Sequence, residues 1–260
     1  MTDEKTQPTP ELPDRAGEDE MARRTRRSFL TGGVAALAGF GAWEFIRGSH
    51  REGQAPWPLR QALEVNEQLS RGYFRAARLA PQFPADAAEM PKVNGDIGID
   101  DDDFDAAKWS LQVSGLAGDE DTATLSMSDI RALPRTEMVT EFKCIEGWSK
   151  KVHWAGARFC DFARQHRPAT DTRDSYVALE TPDRAYYVGI DLPSMMHPQT
   201  LLCYEMNGQP LEDDHGAPLR LVIPIKYGIK NLKRIGRIAY AASRPPDYWA
   251  ERGYDYYSGF

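Results

Sequence analysis

The chain has 260 residues, of which 41% are hydrophobic, so it can bury a substantial core, and its length favours one domain with extensions. Its formal net charge is −7, which argues against a protein that coats the phosphates of a nucleic acid. Composition leaves an enzyme or a binding protein as the main classes, with no nucleic-acid partner.

The N-terminal segment predicts export from the cytoplasm. Residues 1–20 are rich in acids and proline and should be disordered. In the following segment, 21–48, the order "TRRSFL" places Arg26 and Arg27 before an apolar run, which is typical of a twin-arginine signal rather than of a basic patch beside an ordinary helix. Because the apolar run 32–46 is short for a membrane span, cleavage is favoured over a retained anchor. We therefore expect a periplasmic protein that is exported folded, with a cofactor.

The rest of the chain reads as a short N-terminal extension, 49–93, followed by a β-rich domain, 94–260. Alternating patterns such as "WSLQV", "SYVALE" and "LRLVIP" predict strands, while "SMSDIRALP", "WAGARFCDFARQH" and "LPSMMH" predict short helices. Helices and strands do not alternate regularly. The prediction is a mixed α+β fold rather than a doubly wound sheet.

Three cysteines, Cys144, Cys160 and Cys203, are widely spaced, so at least one is unpaired within the chain. Cys160 and Cys203 lie in apolar patterns and are predicted to be core residues. Cys144 differs, because "KCIEGWSKKVH" surrounds it with a glycine, a tryptophan and several cationic side chains. A retained thiol in an oxidising compartment indicates burial or a metal bond.

A second motif concentrates positive charge near the C-terminus. The segments "DHGAPLR" and "KYGIKNLKR" combine glycines with His215, Arg220, Lys226, Lys230, Lys233 and Arg234. Glycines allow backbone amides to approach an anion. The motif by itself is consistent with an anion site or with a solvated basic surface.

Three segments together carry a family resemblance: "FKCIEGWS", the stretch from "MMHPQTLLCYEMNGQPL" through "NLKRIGRI", and "RPPDYWAERGY". In this order they resemble the molybdopterin-binding domain of the sulfite oxidase family, over roughly residues 94 to 254. The resemblance implies a β-rich fold of that type and one molybdenum-molybdopterin per chain.

The resemblance also implies roles for individual residues. Cys144 would be the thiolate ligand of molybdenum, which is reasonable for a soft donor in a cationic environment. The cofactor contacts that it implies are Asn94, Thr181, His215, Arg220, Gly228, Lys230 and Lys233. Tyr204 matches the active-site tyrosine of sulfite oxidases and would assist proton transfer. The implied reaction is oxygen-atom transfer on a small oxyanion or sulfoxide, with Arg158 or Arg184 as further anion contacts for sulfite.

The sequence contains no CxxCH motif, so no haem is expected in this chain, and electrons would be exchanged with a separate haem protein, either a membrane cytochrome or a c-type cytochrome. We expect a monomer. Two alternatives stay open at this point. One is a zinc or cysteine-nucleophile hydrolase that pairs Cys144 with His153 or His215. The other is a non-catalytic binding or assembly protein of the same fold.

Overall fold

The computed structural model describes residues 15–100 and 104–260, with side chains from residue 23 onward. Residues 1–14, for which disorder is predicted, therefore lie outside the described residues. So does the centre of the acidic run "DIGIDDDDFD". Residues 15–20, also predicted to be disordered, form the first turns of helix α1 (Arg15–Gly48). The chain divides into two compact units, one formed by residues up to 50 with 56–58 and the other by 51–55 with 59–260.

The first unit consists mainly of helix α1. Its residues 23–48 are long and apolar enough to cross a membrane, although a signal sequence meets the same criteria. The helical stretch 23–48 is longer than the apolar run 32–46, because the helix continues through the residues on both sides of that run. Its large apolar side chains are exposed: Phe29, Leu30, Val34, Leu37, Phe40, Trp43 and Phe45.

The remaining elements lie almost entirely in the second unit, which contains two five-stranded sheets. The first has the order β10-β9-β6-β5, with β11 also paired to β9, and the second has the order β4-β3-β12-β7-β8. All pairs are antiparallel except β3 with β12. The strands are β1 (Arg51–Glu52), β2 (Ala55–Pro56), β3 (Leu111–Ser114), β4 (Thr122–Leu125), β5 (Arg135–Lys143), β6 (Ser149–Arg158), β7 (Tyr176–Glu180), β8 (Tyr187–Asp191), β9 (Leu201–Met206), β10 (Gln209–Pro210), β11 (Arg220–Val222) and β12 (Arg237–Ala241). The helices are α2 (Trp57–Tyr73), α3 (Met127–Arg131), α4 (Phe159–Gln165), α5 (Leu192–Met195) and α6 (Tyr248–Glu251), with 3-10 turns at Ala85–Ala87, Asp213–His215 and Gly228–Lys230.

Local sequence explains where several elements begin and end. Helix α3 begins at a capping box in which Ser126 accepts from the Asp129 amide and the Asp129 carboxylate accepts from the Ser126 amide. The helix predicted from Trp154 begins only at Phe159. The residues before Phe159 extend strand β6, whose backbone groups are already paired with β5 and β9.

The first sheet is buried on both faces. One face shares the main hydrophobic core with the second sheet, and its other face packs a smaller cluster around Trp154. Strand β9 shows this directly, because Leu202 and Tyr204 point into the main core while Leu201 and Cys203 point into the smaller cluster. Cys203 is buried as predicted, whereas Cys160 is only half-buried on helix α4. The mixed α+β prediction is confirmed.

Candidate active site

A cleft of about 210 Å³ in the second unit contains Cys144. Its wall comes from segments that are distant in sequence: the loop before residue 98, the turn after β5, the start of β11, the segment 228–233 and the C-terminal helix. The lining residues used below are Asn94, Phe142, Cys144, Trp148, Tyr186, His215, Arg220, Gly228, Lys233, Trp249 and Tyr254. Five polar or charged residues predicted from the sequence, besides Gly228, therefore meet at one site.

A tight turn after strand β5 fixes the position of Cys144. Its amide donates to the carbonyl of Trp148 (2.9 Å), and its carbonyl accepts from the amide of Gly147 (3.2 Å). Gly147 has φ +87°, a conformation that favours glycine. The thiol is free and nearly buried, and its sulfur accepts a hydrogen bond from the Asn94 side-chain amide at 3.5 Å.

Lys233 holds the loop that carries Asn94. Its Nζ donates to the carbonyls of Asn94 (2.9 Å) and Gly95 (2.8 Å). Burial, with the nearby Arg220 charge, lowers the pKa of Lys233 to about 8. One ammonium group therefore links the Asn94 loop to the basic segment.

Arg220 carries a buried charge with no carboxylate beside it among the described residues. Its guanidinium donates to the carbonyls of His215 (3.0 Å) and Asn231 (3.4 Å), while its buried Nε has no partner in that part of the chain. Burial lowers its pKa to about 10. Such a charge is costly unless an anion compensates it, so this end of the cleft is prepared for an anionic group.

His215 is also buried in the cleft wall. Burial lowers the pKa of its imidazole, and the Arg220 and Lys233 charges act in the same direction. At neutral pH the ring is therefore uncharged, and it offers one donor and one acceptor rather than a cation. The following Gly216 has φ +93° and ends the 3-10 turn that presents His215 to the cleft.

The opposite wall is aromatic. Trp249 and Tyr254 pack edge to face with ring centroids 5.1 Å apart, and the Tyr186 hydroxyl donates to the Ile229 carbonyl at 2.6 Å. The sequence analysis did not single out Tyr186 or Trp148 as lining residues. For Trp249 and Tyr254, the concentration of aromatic residues in "RPPDYWAERGY" was the available signal.

Lys230, predicted as a cofactor contact, does not line the cleft. Its Nζ is fully buried, donates to the Gly189 carbonyl at 3.0 Å, and forms an ion pair with Asp247. The reason is local geometry. The 3-10 turn that brings Gly228 to the cleft directs Lys230 to the side that packs against β8 and Asp247.

Thr181 also lies outside the cleft wall. Its hydroxyl donates to the Asp183 carboxylate at 2.5 Å, lies 3.2 Å from the Tyr186 carbonyl, and accepts from the Tyr186 amide at 3.1 Å. Thr181 therefore orders the turn that positions Tyr186, which does line the cleft. Thr181 therefore influences the cleft only by positioning Tyr186.

Tyr204, predicted beside the metal, lies in the main core instead. Strand alternation directs Cys203 toward the Trp154 cluster, against which the Arg220 guanidinium packs, and it directs Tyr204 to the opposite face of the sheet, where its ring contacts Arg131. Because neighbouring residues of a strand face opposite sides of the sheet, Tyr204 points away from the side on which Arg220 lies.

The hydrolase alternative fits the geometry poorly. His153 lies on strand β6 with its Nε2 3.5 Å from Glu137, and it does not line the cleft. His215 does share the cleft with Cys144. The described residues contain no group of three or more His, Cys, Asp or Glu side chains arranged for a metal ion, so they offer no protein-only zinc site.

Comparison with known proteins identifies the family. Residues 98–249 match the model of the oxidoreductase molybdopterin binding domain. The chain is 33% identical to the "Putative protein-methionine-sulfoxide reductase subunit YedZ1" of Azospira oryzae, over 92% of this chain and 88% of that protein. It is 32% identical to the protein-methionine-sulfoxide reductase catalytic subunit MsrP of Campylobacter jejuni, over 56% of this chain and 53% of that protein.

Among solved structures, the sulfane dehydrogenase SoxCD of Paracoccus pantotrophus superposes with a TM-score of 0.49 at 16% identity, covering 65% of this chain and 46% of that one. The family match spans more than half of the chain and includes Cys144, His215 and Arg220. The chain therefore belongs to the oxidoreductases with a molybdopterin-binding domain and is a molybdenum enzyme of the sulfite oxidase family.

Proposed function

We propose that this protein reduces sulfoxides of the methionine sulfoxide type, in the periplasm, with electrons from a separate haem-containing protein. The observation that carries the choice of substrate is the composition of the cleft wall. The wall carries five aromatic side chains, Phe142, Trp148, Tyr186, Trp249 and Tyr254, and Arg220 is its only arginine among the described residues. A neutral sulfoxide with an apolar methyl group suits this wall better than a dianion.

The residues present fit a molybdopterin with its phosphate. The unpartnered Nε of Arg220 and the ammonium of Lys233 supply two cationic groups for an anion, and Gly228 leaves that wall without a side chain. Cys144 supplies a soft thiolate donor for molybdenum. Asn94 and neutral His215 supply hydrogen bonds to the sulfur and to the pterin.

When bound, the cofactor supplies two-electron oxygen-atom transfer. The chain itself positions the Cys144 sulfur and provides the walls of the cleft. The turn at Gly147 holds the Cys144 sulfur, and Asn94 donates a hydrogen bond to it. The aromatic wall would exclude water and pack against the substrate's apolar groups, and in this way it would orient a bound sulfoxide in the cleft.

Sulfite oxidation is the weaker candidate. Two further arginines were considered as sulfite contacts, but Arg158 pairs with Asp161 at 2.8 Å and Arg184 lies 3.7 Å from Glu180. Neither lines the cleft. Tyr204, expected beside the metal of a sulfite oxidase, lies in the core.

Two features support the location and the electron source. The order Arg26-Arg27 before an apolar run is that of a twin-arginine signal, and residues 23–48 form one exposed apolar helix. The MsrP relative is named as a catalytic subunit, which is consistent with electrons reaching the enzyme through another protein.

The test compares two reactions of the metal-loaded protein. With a reduced viologen dye as donor, we expect turnover on methionine sulfoxide, free or within an oxidised protein. With ferricyanide as acceptor, we expect little oxidation of sulfite. Cys144→Ser should abolish turnover and lower molybdenum content, while Cys160→Ser, a half-buried thiol outside the cleft, should retain both. Sulfite oxidation without sulfoxide reduction would refute the proposal.

A further inference from the structure

Helix α2 exposes apolar side chains on one face. Val65, Leu69 and Tyr73 recur every four residues, and they are 55%, 66% and 72% exposed. Residues at this spacing lie one above the other on a helix. The helix is anchored through its other side, where the buried Glu67 forms an ion pair with Arg244 and Arg71 donates to the Tyr176 hydroxyl at 2.7 Å. The exposed stripe therefore lies outside the buried core.

The stripe continues into a groove of about 290 Å³. Leu69 and Tyr73 line this groove together with Phe74, Tyr257 and the half-exposed Phe260. We call the stripe and the groove together the α2 face. It is a contiguous apolar surface on the second unit, and the cleft that contains Cys144 is lined by other residues.

Positive charge borders the α2 face. Arg75 donates only to backbone carbonyls, those of Gly72 and Phe74, and the Arg78 guanidinium lies 5.3 Å from the centre of the Tyr73 ring. In the described part of the chain neither arginine has a carboxylate within ion-pair distance. Residues 72–85 contain these two arginines and no acid, in a chain whose net charge is −7. The charge of this face is opposite to that of the whole protein.

We propose that the α2 face lies on the surface of an anionic phospholipid bilayer. Exposed apolar and aromatic side chains bordered by arginine are the combination that binds the headgroup region of such a membrane.

This inference is independent of the substrate. It concerns neither Cys144 nor the aromatic wall of the cleft, so the sulfoxide assay and the membrane test can fail separately.

The experiment uses the full chain, inserted through α1 into nanodiscs. Hydroxyl-radical labelling with mass spectrometry measures the solvent exposure of Leu69 and Tyr73. We compare discs of phosphatidylcholine, discs that also contain phosphatidylglycerol, and detergent micelles. Tyr254, 41% exposed beside the cleft, serves as the internal control. The expected result is loss of most labelling at Leu69 and Tyr73 in anionic discs, partly restored by high salt, with no change at Tyr254.

Variants separate lipid binding from other causes. Arg75→Gln with Arg78→Gln should restore labelling of Tyr73 in anionic discs, whereas Arg167→Gln, an exposed arginine outside the face, should not. Equal labelling of Tyr73 in all three settings would overturn the proposal. Protection that appears in micelles and grows with protein concentration would also overturn it, because a second copy would then cover the face.

Discussion

The side-chain amide of Asn94 donates a hydrogen bond to the sulfur of Cys144 at 3.5 Å, although the two residues are fifty positions apart in the chain. The contact exists because Lys233 holds the carbonyls of Asn94 and Gly95 from a third segment. The predicted metal ligand is therefore contacted by one loop, and a second segment, distant in sequence, holds that loop in place.

Asn94→Ala should lower the reduction potential of the bound molybdenum. A hydrogen bond to a ligating sulfur withdraws electron density from it, so removing the donor favours the oxidised metal. Redox titration monitored by electron paramagnetic resonance measures the potential. Asn66→Ala, which removes an exposed amide near Asp255, is the control and should leave the potential unchanged. An unchanged potential in Asn94→Ala would mean that the amide does not reach the sulfur in the loaded enzyme.

Arg220→Met should stabilise the cofactor-free protein while weakening cofactor retention. The buried guanidinium lacks a carboxylate partner among the described residues and leaves its Nε unpaired, so an apolar side chain of similar length removes a desolvation cost. Thermal unfolding of the cofactor-free variant should show a higher Tm, and pterin released per chain should fall. A lower Tm with full pterin retention would contradict a role in holding an anion.

The stability of the cofactor-free protein should rise with pH above about 8. The pKa of Lys233 is lowered to about 8 from its ordinary 10.5, so between these values the unfolded chain binds more protons than the folded one. Below pH 8 the lysine is charged in both states and the burial cost is fully present. Lys226 shows the same lowering and contributes in the same direction. Urea unfolding at pH 7 and pH 9 measures the slope, which Lys233→Met should reduce.

The stabilisation of the cofactor-free protein by pyrophosphate should depend on the charge of Lys233 and not on that of Lys226. As a probe for the cofactor's anionic end, pyrophosphate should raise the Tm of cofactor-free protein less at pH 9 than at pH 7, because Lys233 loses its charge in that range. Lys233→Arg, which stays charged, should flatten this dependence, whereas Lys226→Met should retain it. No dependence in the wild-type chain would exclude Lys233 as an anion contact.

Tyr204→Phe should leave sulfoxide reduction close to the wild-type rate. The ring lies in the main core, facing away from the cleft, and the substitution keeps its volume. Steady-state kinetics with a reduced dye measure kcat and KM. A drop of kcat with unchanged stability would place the hydroxyl in the reaction, as in the sulfite oxidase expectation.

Lys230→Met should destabilise the fold by about 3–5 kcal/mol, because it leaves Asp247 buried without its cationic partner. Asp247 also accepts from the Gly189 and Ala250 amides, so its carboxylate cannot move to solvent without breaking these bonds. Urea unfolding measures the loss. Lys108→Met removes a solvent-exposed pair with Asp105, which water screens, and should leave the stability almost unchanged. A stable Lys230→Met that loses the cofactor would restore the original prediction for this lysine.

Local sequence determined the mixed fold, several strand and helix positions, and the main polar segments of the site. Alternation, capping residues and turn residues act over a few neighbours, so "SMSDIRALP" and "SYVALETPDRAYYVGIDL" could be read without tertiary information. The unusual setting of Cys144 and the density of charge from His215 to Lys233 were likewise visible in the sequence.

Tertiary structure decided which of those charges face the cleft. Lys230 and Lys233 belong to one basic motif, yet Lys230 pairs with Asp247 and Lys233 lines the cleft with Asn94. Tyr204 lies next to Cys203 in sequence and on the other side of the sheet in space. A side chain's direction depends on strand register and on partners far along the chain, and a linear motif contains neither.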